Sequence, residues 1–264
     1  MPAESGQARE AGQGKACYVY GIVPADVEFT DEVEGIGDPP GVVRLIRHGE
    51  IAALVSDVDI TRPLGRPEDL MAHQELLDSM AAAAPVLPLR FGAVVTGEDA
   101  VTGEMLGPHH EEFAAALREL EGRAQYVVKG RYVEDALLGE VLSENPQADE
   151  LRQQIRAAGG DEYATRELRM RLGEIVNQAV VAKRERDTRH AGDVLEPYCV
   201  ASKVREPTHE EDAVHVAVLV DTGQQPELER ALSELAREWE GRVTLRLLGP
   251  MAPYDFVATM APAG

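Results

Sequence analysis

Val42-Val-Arg-Leu-Ile-Arg-His-Gly-Glu-Ile-Ala-Ala-Leu-Val55 is the stretch from which the fold is read. Two apolar runs, Val42 to Arg47 and Ile51 to Val55, flank His48-Gly49-Glu50. A short glycine-containing spacer between such runs predicts a β-hairpin. Upstream, Cys17-Tyr-Val-Tyr-Gly-Ile-Val23 supplies a strand with alternating aromatics. The segment Asp26 to Asp38 carries six carboxylates and no basic residue, then meets Pro39-Pro40-Gly41, which is loop chemistry. Downstream, a helix is expected from Pro67, with Leu70, His73, Leu77, Met80 and Ala84 at three- and four-residue steps. Pro85 stops it, and a strand is expected from Leu87 to Val95. Gly107-Pro108 opens another helix with Phe113, Leu117 and Leu120 on one face, proline being suited to a first turn. Gly122 ends that helix, and Tyr126 to Lys129 forms a strand. Three strands, then helix, strand, helix and strand predict an α+β domain related to the ferredoxin-like arrangement.

The middle of the chain, from about Val133 to Val194, contains no convincing strand. Its strongest helical pattern is Asp161 to Arg189, where Leu168, Leu172, Ile175, Val176, Ala179 and Val180 form an apolar stripe. Strand patterns return at Tyr198 to Val204 and Ala213 to Val220, flanking the polar loop Arg205 to Asp212. A helix from Pro226 places Leu228, Leu232, Leu235 and Trp239 on one face, and Val243 to Leu248 follows as a strand. The expected organisation is a disordered tail over 1–16, an α+β unit over 17–132, a helical segment over 133–197 and a second α+β unit over 198–264. In fold class this is α+β, two ferredoxin-like-related α/β sandwich units joined by a helical middle.

The 264 residues are 44% apolar, enough for a substantial core, and no apolar run approaches the length of a membrane span. The first sixteen residues lack the apolar stretch of a secretory signal. The two cysteines, Cys17 and Cys199, sit in strand-like runs and are expected to be reduced, giving a cytoplasmic reading. With 26 basic against 47 acidic residues the net charge is −21. That disfavours nucleic acid and anionic membrane surfaces, which need concentrated positive charge, and favours solubility.

No arrangement of residues points to catalysis. His109 and His110 are adjacent, so on a helix they point apart, whereas ligand pairs need three- or four-residue spacing. His73 reads as a satisfied, partly buried histidine. Gly35-Ile-Gly-Asp38 lacks the strand–turn–helix context of a phosphate loop, and no Gly-x-Ser-x-Gly elbow occurs. Neither metal nor cofactor is expected. Arg90, between Leu89 and Phe91 in an apolar strand, reads either as an arginine paired with a carboxylate or as an interface anchor. Tyr254 and Phe256, two apart in a proline-framed segment, read either as core plugs or as docking rings presented to one face. In the long helix Arg166, Arg169, Lys183, Arg184, Arg186 and Arg189 form either a solvated face or a positive strip for a partner.

Three motifs, Tyr18-Val-Tyr-Gly-Ile-Val23, Leu87-Pro-Leu-Arg-Phe-Gly92 and Gly249-Pro-Met-Ala-Pro-Tyr-Asp-Phe-Val257, recur in this order in a known family. The chain resembles the gas vesicle protein L/F family over roughly residues 17 to 258. Met251 departs from the bulky residue, often tryptophan, that usually follows Gly-Pro there. The resemblance implies a non-enzymatic assembly factor or minor structural component associated with gas vesicles. Its implied partners are the hydrophobic major shell protein and other gas vesicle accessory proteins. The candidate partner-binding residues are Arg90, Phe91, Tyr254, Phe256, Arg166 and Arg169. The alternative is a small-ligand-binding regulator built on ferredoxin-like units.

Overall fold

The structure, a computed structural model, describes residues 15–28, 33–61, 63–159 and 162–257. The expected tail over 1–16 lies outside the described residues except for its last two, which belong to the first strand. The chain divides into two compact units, one of residues up to Gln125 together with those from Gly249, the other Tyr126–Leu248. This differs from the expected division: the segment after Leu248 belongs with the first unit, and the strand Tyr126 to Lys129, expected to close the first unit, belongs with the second.

In the first unit β1 (Lys15–Pro24) is central. It pairs antiparallel with β3 (Ile51–Asp59), which pairs in turn with β2 (Arg44–His48), giving the hairpin read from the sequence. Gly49 makes the hairpin turn at φ 62°. That positive φ favours glycine, and a Cβ there would stand 2.6 Å from His110 Nε2, which the histidine side chain would have to shift to relieve. The other side of β1 takes two short strands, β4 (Leu87–Pro88) and β5 (Val94–Val95). Helix α1 (Pro67–Ala83) buries His73, Leu76, Leu77 and Met80, while Leu70, expected on the same face, is 48% exposed. The short α2 (Glu98–Ala100) runs into a π-helical turn, Val101–Leu106, before α3 (His110–Leu120) buries Phe113, Leu117 and Leu120 as its spacing predicts.

The core of this unit contains polar groups at defined places. Tyr18 and Tyr20, both fully buried, point to one face of β1. The Tyr20 hydroxyl bonds Ser56 Oγ and accepts from the Ile36 amide, which ties the acidic loop to the core. Asp69 accepts from the amides of Gly37, Gly65 and Arg66. Burial pushes its carboxyl up, but these three bonds outweigh burial and hold it below its ordinary range. The Tyr18 hydroxyl accepts from the Gly92 amide at 3.1 Å and shares a hydrogen bond of 2.9 Å with His73 Nδ1.

In the second unit β6 (Arg123–Tyr132) is followed by α4 (Glu134–Glu144), α5 (Pro146–Ala157) and the long α6 (Glu162–Leu195). Then come β7 (Ala201–Val204), β8 (Asp212–Asp221), α7 (Gln225–Glu238) and β9 (Val243–Met251). The sheet order is β7-β8-β6-β9. The chain therefore runs β, three helices, β, β, α, β, so a strand expected in the first unit contributes to this sheet. Leu228, Leu232 and Leu235 of α7 and Trp239 just after it are all buried, as expected. Strand β9 continues through Gly249-Pro250 instead of breaking there. It is an edge strand, where the missing proline N–H costs no ladder bond.

Burial drives the His73 imidazole down to about 4, offset only in part by the Leu89 carbonyl, and its Nε2 makes no well-formed hydrogen bond. Between that value and the ordinary 6.5 the unfolded chain binds a proton that the folded chain refuses. The stability contributed by neutral His73 is thus complete above pH 6.5 and declines as pH falls towards 4. Urea unfolding at pH 7.5 and 4.5 is expected to show wild type losing about 2–3 kcal/mol more than His73→Phe over this interval. Equal losses in both proteins would remove His73 as the cause.

Candidate partner-binding site

Residues 87–95 form an interrupted strand instead of the continuous one expected. Between the pairs Tyr18↔Val94 and Gly21↔Pro88, β1 advances three residues while the opposite chain advances six. The excess forms a bulge over residues 89–93, held by the Leu89 amide on the Tyr20 carbonyl and the Val19 amide on the Ala93 carbonyl. Gly92, at φ 94°, turns the chain back. Arg90 at the tip is exposed and has no carboxylate partner among the described residues, so the expected ion pair is not formed. Phe91 is half-buried, 5.6 Å from the His73 ring and 5.9 Å from Tyr18. The bulge separates the two neighbours: the ring goes to the core and the guanidinium to solvent.

The terminal motif is likewise not the extended ribbon expected. The amides of Phe256 and Val257 both bond the Pro253 carbonyl, so residues 253–257 turn and the alternating placement of Tyr254 and Phe256 is lost. The segment is fixed to its own unit at two points. The Ala252 amide donates to Asp78 Oδ1, and Gln125 and Asp255 exchange bonds of 2.8 and 3.1 Å. Tyr254 packs on the cluster that contains Tyr18, Tyr20 and Leu77. Its phenol is pushed up by burial and by Asp78. Phe256 is half-buried.

Helix α6 is anchored near its C-terminal end by charge. Lys183, with 3% of its side chain exposed, bonds Glu140 and Glu144 of α4, both at 2.8 Å. Arg242 bonds Glu140 and Asp187, and the Tyr132 hydroxyl donates to Asp187 at 2.5 Å. Burial pushes the Glu140 carboxyl up, but the Lys183 and Arg242 bonds outweigh it and hold it low. Further along, Thr188, Ala191 and Leu195 face the sheet, and Thr188 Oγ1 donates to the Ala213 carbonyl. The expected apolar stripe from Leu168 to Val180 is only half-buried. The first half of the helix presents Tyr163, 90% exposed, Arg166, and Met170, 67% exposed, at i, i+3 and i+7 on one face, with Val181 in line further on. Arg169 beside them is exposed and its Nε donates to Thr165 Oγ1.

Among the described residues no group of three or more His, Cys, Asp or Glu side chains could hold a metal ion. A cavity of about 570 Å³ lies between the second half of α6 and β7–β8. Of its polar groups, Arg184 bonds the carbonyls of Asp212 and Glu210, and His215 Nδ1 bonds the Glu206 carbonyl. No helix among the described residues is long and apolar enough to cross a membrane. What the surface offers is exposed aromatic, arginine and methionine side chains on a rigid helix, the residue types that carry protein–protein contacts.

The family profile described as gas vesicle synthesis protein GvpL/GvpF matches residues 16–258. The chain belongs to that family. It is 36% identical over 244 residues to gas vesicle protein F of Streptomyces sp. (strain CB03234), covering 91% of this chain and 98% of that one. With gas vesicle protein L of the same strain it shares 27% over 262 residues, 90% and 91% of the two chains. The crystal structure of GvpF from Anabaena sp. PCC7120 superposes with a TM-score of 0.73 at 21% identity, covering 92% of this chain and 98% of that one. This likeness extends the GvpL/GvpF assignment to the fold, and a role connected with gas vesicles follows from the family.

Of the six residues singled out in the GvpL/GvpF chain, the structure exposes Arg90, Arg166 and Arg169 and packs Phe91 and Tyr254 against the core. The signal for the bulge is Gly92, since glycine inside a strand pattern marks one. The exposed Tyr163–Met170 face escapes the stripe reading because it lies on another side of the same helix. Tyr254→Ala is expected to lower stability by about 2 kcal/mol, less than a fully buried ring because Tyr254 is half-covered, whereas Arg90→Ala changes it by less than about 0.5 kcal/mol. Thermal melts of the two variants check this, and equal melting temperatures would contradict the placement of Tyr254 in the core.

Proposed function

We propose that this GvpL/GvpF chain is a non-enzymatic gas vesicle assembly factor that binds the major shell protein during vesicle formation. The observation that carries the reading is the exposed Tyr163–Arg166–Met170 face of α6, supported on a helix fixed by partly buried ion pairs. A hydrophobic, self-assembling subunit needs apolar surface to be held, and a holder needs a reason not to coalesce with its own copies. The net charge of −21 supplies mutual repulsion between copies, while α6 itself, with Arg166 and Arg169, offers apolar and cationic contact. Arg90, raised on its bulge in the first unit, is the second proposed contact. Phe91, Tyr254 and Phe256 act in this reading as supports for the surface that carries Arg90, not as docking rings. The family relationship supports an assembly role over catalysis and an association with gas vesicles.

The test is capture of shell protein by full-length chain when the two are co-expressed, with a melting curve on each variant. Met170→Glu combined with Arg166→Glu is expected to reduce capture by about tenfold, equivalent to about 1.4 kcal/mol, with an unchanged melt. Both side chains are exposed, so the fold has little reason to respond. Undiminished capture by the folded double variant would overturn the assignment of this face.

A further inference from the structure

We propose that the groove between α6, the start of α4 and residues 207–211 is a docking site for an amphipathic helix whose apolar face is flanked by lysine or arginine. This goes beyond the shell-protein reading, which concerns the neighbouring exposed face of α6. The groove has a volume of about 700 Å³ and follows α6 from Gly173 to Arg184, about three helical turns. Val176 and Val180, half-buried on α6, form its floor with Leu137 of α4 behind them. Every lining residue belongs to α4, α6 or the 207–211 loop, so no strand edge is available for an added strand to pair with. An apolar floor of this length without a free backbone ladder fits a helix with anchors at i, i+3 or i+4 and i+7.

Gly173 points the same way. It lies in the interior of α6, where glycine weakens a helix relative to alanine. Among the described residues a Cβ at this position would meet nothing within 4 Å, so no contact there requires glycine. A partner backbone lying close along the floor does require it. The rim decides the partner's charge. Glu134, Glu210 and Glu211 are exposed, and none has a side-chain partner among the described residues. Of the cations at this loop, Arg184 already donates to the carbonyls of Glu210 and Asp212 and Lys129 Nζ donates to Thr208 Oγ1, while His209 is the other titratable group of the lining. Three unmatched carboxylates beside an apolar floor select a helix with basic flanks. They also disfavour a second copy of this chain, whose net charge is −21.

The probe is a labelled, designed amphipathic peptide of about four turns, leucine on one face and lysine on both flanks, titrated with the full-length chain by fluorescence anisotropy. Two comparators keep its composition in part: one replaces lysine by glutamate, the other keeps lysine and scrambles the leucine positions. The lysine-flanked amphipathic peptide is expected to bind at least about tenfold more tightly than either. Gly173→Leu is expected to weaken it by about tenfold while holding or raising the melting temperature, since leucine fills the floor and is the better helix former. Glu210→Lys with Glu211→Lys is expected to shift preference towards the glutamate-flanked peptide. Equal binding of all three peptides, binding undiminished by Gly173→Leu, or no binding of the lysine-flanked peptide would each overturn the proposal. The probe contains no gas vesicle protein, so its outcome is separate from whether the exposed α6 face holds the shell subunit.

Discussion

The second unit depends on one partly buried set of charges. Lys183, Glu140, Arg242, Asp187 and the Tyr132 hydroxyl join α6 to α4, to the end of β6 and to the residue just before β9. Arg242 also lies over the rings of Tyr132 and Trp239, 5.8 and 5.7 Å from their centroids, which shields the pairs from water on that side. Ion pairs of this kind contribute less net stability than their number implies, because each charge is first removed from water. They contribute direction. An apolar stripe slides against another at small cost, whereas a lysine held by two carboxylates permits one rotation and one register of the helix.

That choice of anchor shapes the surface. Because α6 is held by charge and by its C-terminal third, its first half has no need to bury its apolar stripe fully, and the stripe remains half-covered. A helix fixed at one end and incompletely covered at the other presents an unsatisfied apolar face at low conformational cost, since the ordering entropy has been met by the fold itself. The exposed Tyr163, Arg166 and Met170 and the acid-rimmed groove beside them both arise from this arrangement.

The first unit solves a different problem. Its core holds two tyrosines and a histidine, and each tyrosine hydroxyl secures a non-repetitive segment. Tyr20 secures the acidic loop through Ile36, and Tyr18 secures the bulge through Gly92. Asp69 does the same for the loop that precedes α1. Loops fixed by buried hydroxyls and a buried carboxylate become parts of the scaffold, and Arg90 is thereby displayed from a defined position.

The sequence by itself determined the α+β class, the hairpin at Gly49, the helices at Pro67, Gly107-Pro108 and Pro226, and the family. These rest on local periodicity, on turn chemistry and on motifs that keep their order. It also located the unusual residues, Arg90 among apolar neighbours and the terminal Tyr254 and Phe256. Their orientation was decided only by tertiary structure. A bulge between β4 and β5 sends Arg90 outward and Phe91 inward, and a turn at Pro253 cancels the alternation that a strand would have given the two rings. The division into units was also beyond local reading, because residues after Leu248 rejoin the first unit through Asp78 and Gln125, far away in the chain. Periodicity reports which residues can share a face; which face the rest of the chain leaves open depends on contacts between distant segments.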